Sequence, residues 1–368
     1  MTFISLFIVG FLFVHASFMI GWIYVGQLKF RNKKQDELGN INLDQLTVII
    51  PFRNEASRIL PFLKAIQASS TQPANYIFIN DHSTDESDRL IVENLNMKGF
   101  QVIHLPKDQQ GKKRAISYGI KHACTEFVLT MDADVWFNST YFQYISETAP
   151  ADLIILPVQH VANNFFAQLF QQDVVLANHV NIAAAGWKRP ILCSGANLLF
   201  RKEAYLEVIE HSDYFEKSSG DDIYLLKAMH TAGKNTWMNS SIHLEVKTPA
   251  SNSIKEFISQ RTRWISKTRH VADTFSNRLI LIQFVLSIGF WAALYLSFAY
   301  FSLRITLLFT LIKIIIDGFC LFPFYYAKKE MRIWLFLPIF ILLLPFINSV
   351  LLITTLFQTP SWKNRLIE

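Results

Sequence analysis

Cysteine is almost missing from this chain. Cys124, Cys193 and Cys320 stand far apart in 368 residues, too few and too scattered for a disulfide framework or a zinc site, which suits a reducing cytoplasm. No DNA- or RNA-binding motif is present. The net charge of +6 is carried largely beside apolar runs, so attraction to anionic lipid headgroups accounts for it, and no nucleic acid is implied as a partner. What is plentiful is apolar: 51% of residues are hydrophobic and 14% aromatic, high for a soluble protein.

The apolar residues are unevenly spread. Residues 1–25 carry only small polar interruptions and His15, and roughly 20 such residues in a helix cross a bilayer core of about 30 Å. Lys29, Arg31, Lys33 and Lys34 follow this run, where a cleaved signal peptide wants its charge in front. Residues 1–27 therefore read as an uncleaved anchor, with 28–45 a basic linker on the cytoplasmic side. Near the other end, 279–302 and 305–327 are each long enough to span and form a transmembrane hairpin, 279–327. Lys328, Lys329 and Arg332 then mark a return to the cytoplasm. Inside the second hairpin helix Lys313 and Asp317 stand four apart, and the high cost of isolated charge there predicts that they pair. The third segment, 333–358, contains Pro338 and Pro345. It either spans once or re-enters, and re-entry would keep the basic tail 359–368, with Lys363 and Arg365, inside.

Between the anchors, 46–252 alternates strand and helix patterns. LTVIIPF, ending at Phe52, YIFIND, QVIHLP and FVLTM read as strands; 58–68 and 112–122 read as helices, with helix-start signals at Ser83, Thr84 and Asp85. This order predicts an α/β fold with a doubly wound, mostly parallel sheet, whose ligands bind beyond the carboxyl ends of the strands. Those ends carry Asn54, Glu55, Asp81, Asp132 and Asp134. Asp132 and Asp134, at i and i+2, repel one another unless a cation lies between them, which suits Mg²⁺ or Mn²⁺; a turn or a helix cap is the plain alternative. A further stretch, 253–276, has apolar residues at helical spacing, among them Phe257, Ile258 and Trp264, and an opposite side with Lys255, Lys267 and Arg269. It reads as an amphipathic interfacial helix.

Six short motifs in order give the chain a resemblance to the family 2 glycosyltransferases of the GT-A fold: IIPFRNE, NDHSTDES, GKKRAISYG, CSGANLLFRKEAY, GDDIYLL and QRTRW. The resemblance implies transfer of a sugar from a UDP- or GDP-sugar, with inversion. It assigns Pro51, Glu55, Asp81, Asp85, Lys112 and Asp132 to the nucleotide sugar, Asp134 with Asp132 to the divalent metal, and Asp222 to the catalytic base. The stretch around Ser194, Gly195 and Ala196 falls on the acceptor side. Gln260, Arg263 and Trp264 share one helix face and would contact diphosphate and acceptor. His82 stands where the family usually has glycine, and Asp221 beside the base is the position that could serve only to start a helix. Few membrane segments favour a lipid or lipid-linked acceptor, with membrane lipids around a multi-pass enzyme of the cell membrane. A processive polysaccharide synthase and a non-catalytic membrane scaffold are the alternatives.

Overall fold

The computed structural model describes residues 2–30, 39–95, 97–162, 164–210, 220–271, 274–327, 331–357, 361–362 and 365–366. Arg31, Lys33, Lys34, Lys328, Lys329 and Lys363, and the side chains of Lys267, Arg269 and Arg365, lie outside the described residues. Two compact units are present. One is rich in strands (32–161, 192–249 and 362–368); the other is helical (1–31, 162–191 and 250–361).

In the first unit seven strands build one sheet: β1 (Leu46–Phe52), β2 (Asn75–Asn80), β3 (Phe100–His104), β4 (Phe127–Met131), β5 (Leu153–Ile155), β7 (Asn197–Arg201) and β8 (Thr236–Met238), in the order β3-β2-β1-β4-β7-β5-β8. β1 pairs parallel with both β2 and β4, and β2 with β3, so the apolar runs predicted from sequence lie side by side and point the same way. β1 is buried along its whole length, as a central parallel strand covered on both faces must be. Pro51 has no N–H to give, and pairing of β1 with β4 has already stopped at Ile49 opposite Thr130. β7 runs antiparallel between β4 and β5. Its first residue, Asn197, is fully buried. Tyr141 donates to its Oδ1 (2.6 Å), and its Nδ2 donates to Pro157 O and Leu244 O (2.8 and 2.9 Å). A separate parallel pair joins β6 (Val158–Val161) to β9 (Val246–Pro249). The fold is thus α/β with a mostly parallel central sheet.

Among the described residues three helices, all in the helical unit, are long and apolar enough to cross a membrane: Thr2–Lys29, Thr274–Tyr300 and Leu303–Tyr326. Outward-facing Phe3, Phe13, Leu281 and Leu307 are exposed. The turn between the second and third is tight because Ser302 caps the next helix, its Oγ accepting from Ile305 N at 3.4 Å. Leu337–Leu351 is a shorter apolar helix, part of Leu337–Phe357; Pro338 falls in the first turn, where its missing N–H costs nothing, and Pro345 lies inside. The helix Phe165–Gly186 falls within 46–252, read from sequence as one domain, yet it belongs to the helical unit. Its Gly186 lies so close to Gly26 that a Cβ would stand 1.9 Å from Gly26 O, a backbone approach open only to glycine. The helix Ile254–Val271 is in the same unit: Phe257 stacks on Phe170 with centroids 4.4 Å apart, and Arg261 pairs with Asp173. Near the end, within the stretch read as a basic tail, two-residue strands occur at Ser361–Trp362 and Arg365–Leu366.

Candidate active site

The strand-rich unit gathers its charge at the carboxyl edge of β1, β2 and β4. Beyond β1 the chain turns through Asn54, held at φ 53° and tied to the next strand's loop: its N–H donates to Ser83 Oγ (3.0 Å) and its Oδ1 accepts from Thr84 N (2.8 Å). Beyond β2, His82 adopts φ 57°, the left-handed conformation for which glycine is suited, and its imidazole compensates by bonding Gln109 O at 2.8 Å. Asp81, buried at the end of that strand, accepts from Gly111 N at 3.1 Å and so sets the start of the helix Lys112–His122.

Lys112 opens that helix and links two carboxylates from distant parts of the chain. Its Nζ stands 2.6 Å from Asp132 Oδ1 and 3.4 Å from Asp221 Oδ2. Burial alone would lower its proton affinity; Asp132, Asp221 and Asp222 outweigh this and hold the ammonium well above the usual lysine range. Arg58 makes a second bridge, with Nη2 2.7 Å from Glu55 Oε2 and Nη1 3.0 Å from Asp134 Oδ2. Burial and the Asp132 charge push the Asp134 carboxyl up to about 6, with Arg58 pulling the other way. Gly195 closes the group. A Cβ there would meet Asp221 Oδ2 at 2.3 Å and Lys112 Nζ at 3.2 Å, so any side chain displaces the Lys112–Asp221 contact.

Asp221 and Asp222 open the helix Asp221–Thr231 and divide their work. Asp221 is buried against Lys112. Asp222 is half-buried; its Oδ2 accepts from Gly195 N at 3.5 Å and its Oδ1 from Ile223 N at 2.8 Å. It is the more accessible of the two, as a group that takes a proton from a substrate has to be.

Glu55, Asp81, Lys112, Asp132, Asp134 and Asp222 thus come together through these contacts. Pro51 stays inside β1. Asp85 is occupied locally: Oδ2 accepts from Ala56 N (3.0 Å) and Oδ1 from Ser87 Oγ (2.5 Å) and Ser87 N (3.1 Å); burial pushes its carboxyl up, and these bonds, the Ser87 hydroxyl foremost, outweigh it and hold it below the usual range. It pins the loop after β1 to the helix Ser87–Asn94. Gln260, Arg263 and Trp264 belong to the helical unit, where Ser251 donates to Gln260 Oε1 at 3.3 Å and the Arg261 guanidinium lies 4.3 Å from the Trp264 ring. Arg58 and the Lys112–Asp221 contact were not foreseen. Arg58 had a signal in its i+3 spacing from Glu55; the Asp221 contact had none, since it joins residues more than a hundred apart.

The donor set suits Mg²⁺ or Mn²⁺. Such cations accept one or two protein carboxylates and take their other ligands from phosphate oxygens and water, and Asp132 and Asp134 are two carboxylates already drawing positive charge to the spot. Among the described residues no three His, Cys, Asp or Glu side chains form a closed metal cage.

Comparison with known proteins falls on the same segment. The family model described as Glycosyl transferase family 2 matches residues 47–208. This range takes in the edge of β1, β2 and β4, Lys112 and Gly195, and supports the family 2 resemblance at the level of the domain; GDDIYLL and QRTRW lie beyond it. A 4,4'-diaponeurosporenoate glycosyltransferase of Staphylococcus aureus (strain USA300) is 36% identical over 118 residues, a match that spans 30% of this chain and 30% of the length of that relative. The solved mannosyltransferase PcManGT of Pyrobaculum calidifontis, in complex with GDP-Man and Mn²⁺, is 14% identical with a TM-score of 0.56, covering 96% of this chain and 99% of its own. The shared fold is therefore GT-A-like.

Proposed function

We propose that the chain is an inverting glycosyltransferase that moves a sugar from a UDP- or GDP-sugar to a hydroxyl of a lipid or lipid-linked acceptor at the cytoplasmic face of a membrane. The observation that carries this reading is the linked edge of charge: Arg58 bridging Glu55 and Asp134, and Lys112 bridging Asp132 and Asp221, with Asp222 beside Gly195. In this reading Asp134, helped by Asp132, holds Mg²⁺ or Mn²⁺. The bound cation would neutralise charge developing on the leaving diphosphate. Lys112 supplies a second fixed positive charge, kept in place by Asp221. Asp222 accepts the proton of the attacking hydroxyl. For Gln260, Arg263 and Trp264 the QRTRW resemblance alone implies roles toward diphosphate and acceptor. The family match over 47–208 and the segment shared with a named glycosyltransferase support the transfer; three helices able to cross a membrane support a lipid acceptor.

The test is release of free nucleotide from a panel of UDP- and GDP-sugars with Mn²⁺ and a membrane-lipid extract, GDP-Man first. Nucleotide release with sugar label in the organic phase is the expected result. Label in an insoluble polymer would overturn single transfer in favour of a synthase, and no release with any donor would overturn the enzyme reading.

A further inference from the structure

The helical unit holds a charged cluster of its own. His15 lies near the middle of the span Thr2–Lys29, and Lys313 and Asp317 near the middle of Leu303–Tyr326. Asp317 accepts from both, through Oδ1 from His15 Nε2 at 2.6 Å and through Oδ2 from Lys313 Nζ at 2.6 Å. All three are buried, His15 at 5%, Lys313 at 6% and Asp317 at 5% exposure. The Lys313–Asp317 pair neutralises itself, as its i, i+4 spacing predicts. His15 comes from another helix and has no such need, so its presence asks for a separate reason.

A small open cleft, about 50 Å³, borders the cluster. His15, Lys313 and Asp317 lie on its wall with apolar Leu286, Phe290 and Phe340. Two residues after His15 the first span widens into a π-helix, Ser17–Tyr24, a distortion that recurs at functional sites. Because Nε2 gives its hydrogen to the Asp317 carboxylate, a neutral His15 presents Nδ1 as an acceptor. That atom is buried and has no hydrogen-bond partner among the described residues. Lys313 carries three N–H donors, of which Asp317 takes one. An acceptor and a donor therefore belong to residues on the wall of the same mostly apolar cleft, at a depth where acyl chains and not water surround the protein.

We propose that this cleft binds a long-chain lipid alcohol, its hydroxyl donating to His15 Nδ1 and accepting from Lys313, its chain lying along Leu286, Phe290 and Phe340. A hydroxyl does both without charge. A carboxylate or phosphate would bring a second anion beside Asp317 in apolar surroundings. A bare alkane would leave Nδ1 unmet. Binding does not depend on sugar transfer, so the two readings stand or fall separately.

The full-length protein in phosphatidylcholine nanodiscs is photolabelled with a diazirine analogue of hexadecanol and, in parallel, with the matching alkane and fatty acid. Label from the alcohol is expected on peptides carrying His15, Leu286 and Lys313, with unlabelled hexadecanol competing at about tenfold lower concentration than hexadecane or palmitate. His15→Phe is expected to bring the alcohol down to the alkane's level while the helical circular dichroism is retained. Leu286→Trp, which fills the cleft and leaves the polar residues in place, is expected to abolish the label. Equal labelling by the three probes, label confined to outward faces such as Phe3 and Phe13, or an alcohol preference that survives His15→Phe would overturn the proposal. None of these readouts requires a sugar donor.

Discussion

The two units treat charge in opposite ways. In the strand-rich unit two carboxylates just beyond β4 are each paired with a cation from elsewhere in the sequence: Asp132 with Lys112, Asp134 with Arg58. Arg58 is half-exposed, so its pairing is exchangeable, and a site built this way can trade its own cations for a metal and a diphosphate. In the helical unit Lys313 and Asp317 lie one turn apart on one helix, both buried, and pair within that helix. Water can replace a lost partner at the strand edge and cannot inside an apolar bundle. The first arrangement leaves its charges exchangeable, and the second holds a fixed polar point where charge is expensive.

The sharpest way to break this contrast is Asp317→Asn, which leaves Lys313 buried without its counter-charge. A loss of about 3–5 kcal/mol is expected in thermal unfolding of the detergent-purified protein, and much less for Asp317→Leu combined with Lys313→Met. Next comes the strand edge, where the same kind of change should spare the fold. Asp222→Asn is expected to lower turnover by roughly 10²-fold or more while calorimetry still shows nucleotide binding.

Asp134→Asn tests the cost of crowding carboxylates. The folded carboxyl sits at about 6 against a reference of 3.8, so between those values the folded state binds the extra proton. The sign follows directly: stability of the metal-free protein falls as pH rises through that window. The Asn variant is expected to be more stable than the parent by about 2 kcal/mol at pH 7.5, to lose that advantage near pH 4, and to lose the Mn²⁺-dependent rise in melting temperature. The smallest effect belongs to Arg58→Ala. Its ion pairs are exposed, so under about 1 kcal/mol of stability should go, while Mn²⁺ affinity by titration should rise a few-fold because a competing cation is removed.

The sequence made visible whatever depended on neighbours in the chain. β1 and β4 are unbroken apolar runs of strand length, the helix Lys112–His122 begins after a glycine, and the pair Lys313–Asp317 is an i, i+4 contact. The antiparallel strand β7 was not legible, because its place between β4 and β5 depends on cross-strand pairing and on the buried amide of Asn197. Nor was the helix Phe165–Gly186 as a member of the helical unit, since the Gly26–Gly186 approach joins residues 160 apart.

At the candidate site the same line holds. Local pattern alone placed Asp132, Asp134 and Lys112 at strand and helix ends and three apolar helices long enough to cross a membrane. Only the tertiary structure decided what those charges face. Arg58 between Glu55 and Asp134, Asp221 under Lys112, and His15 on Asp317 are contacts set by the folding of distant segments, and electrostatic energy depends on distance in space, not in sequence.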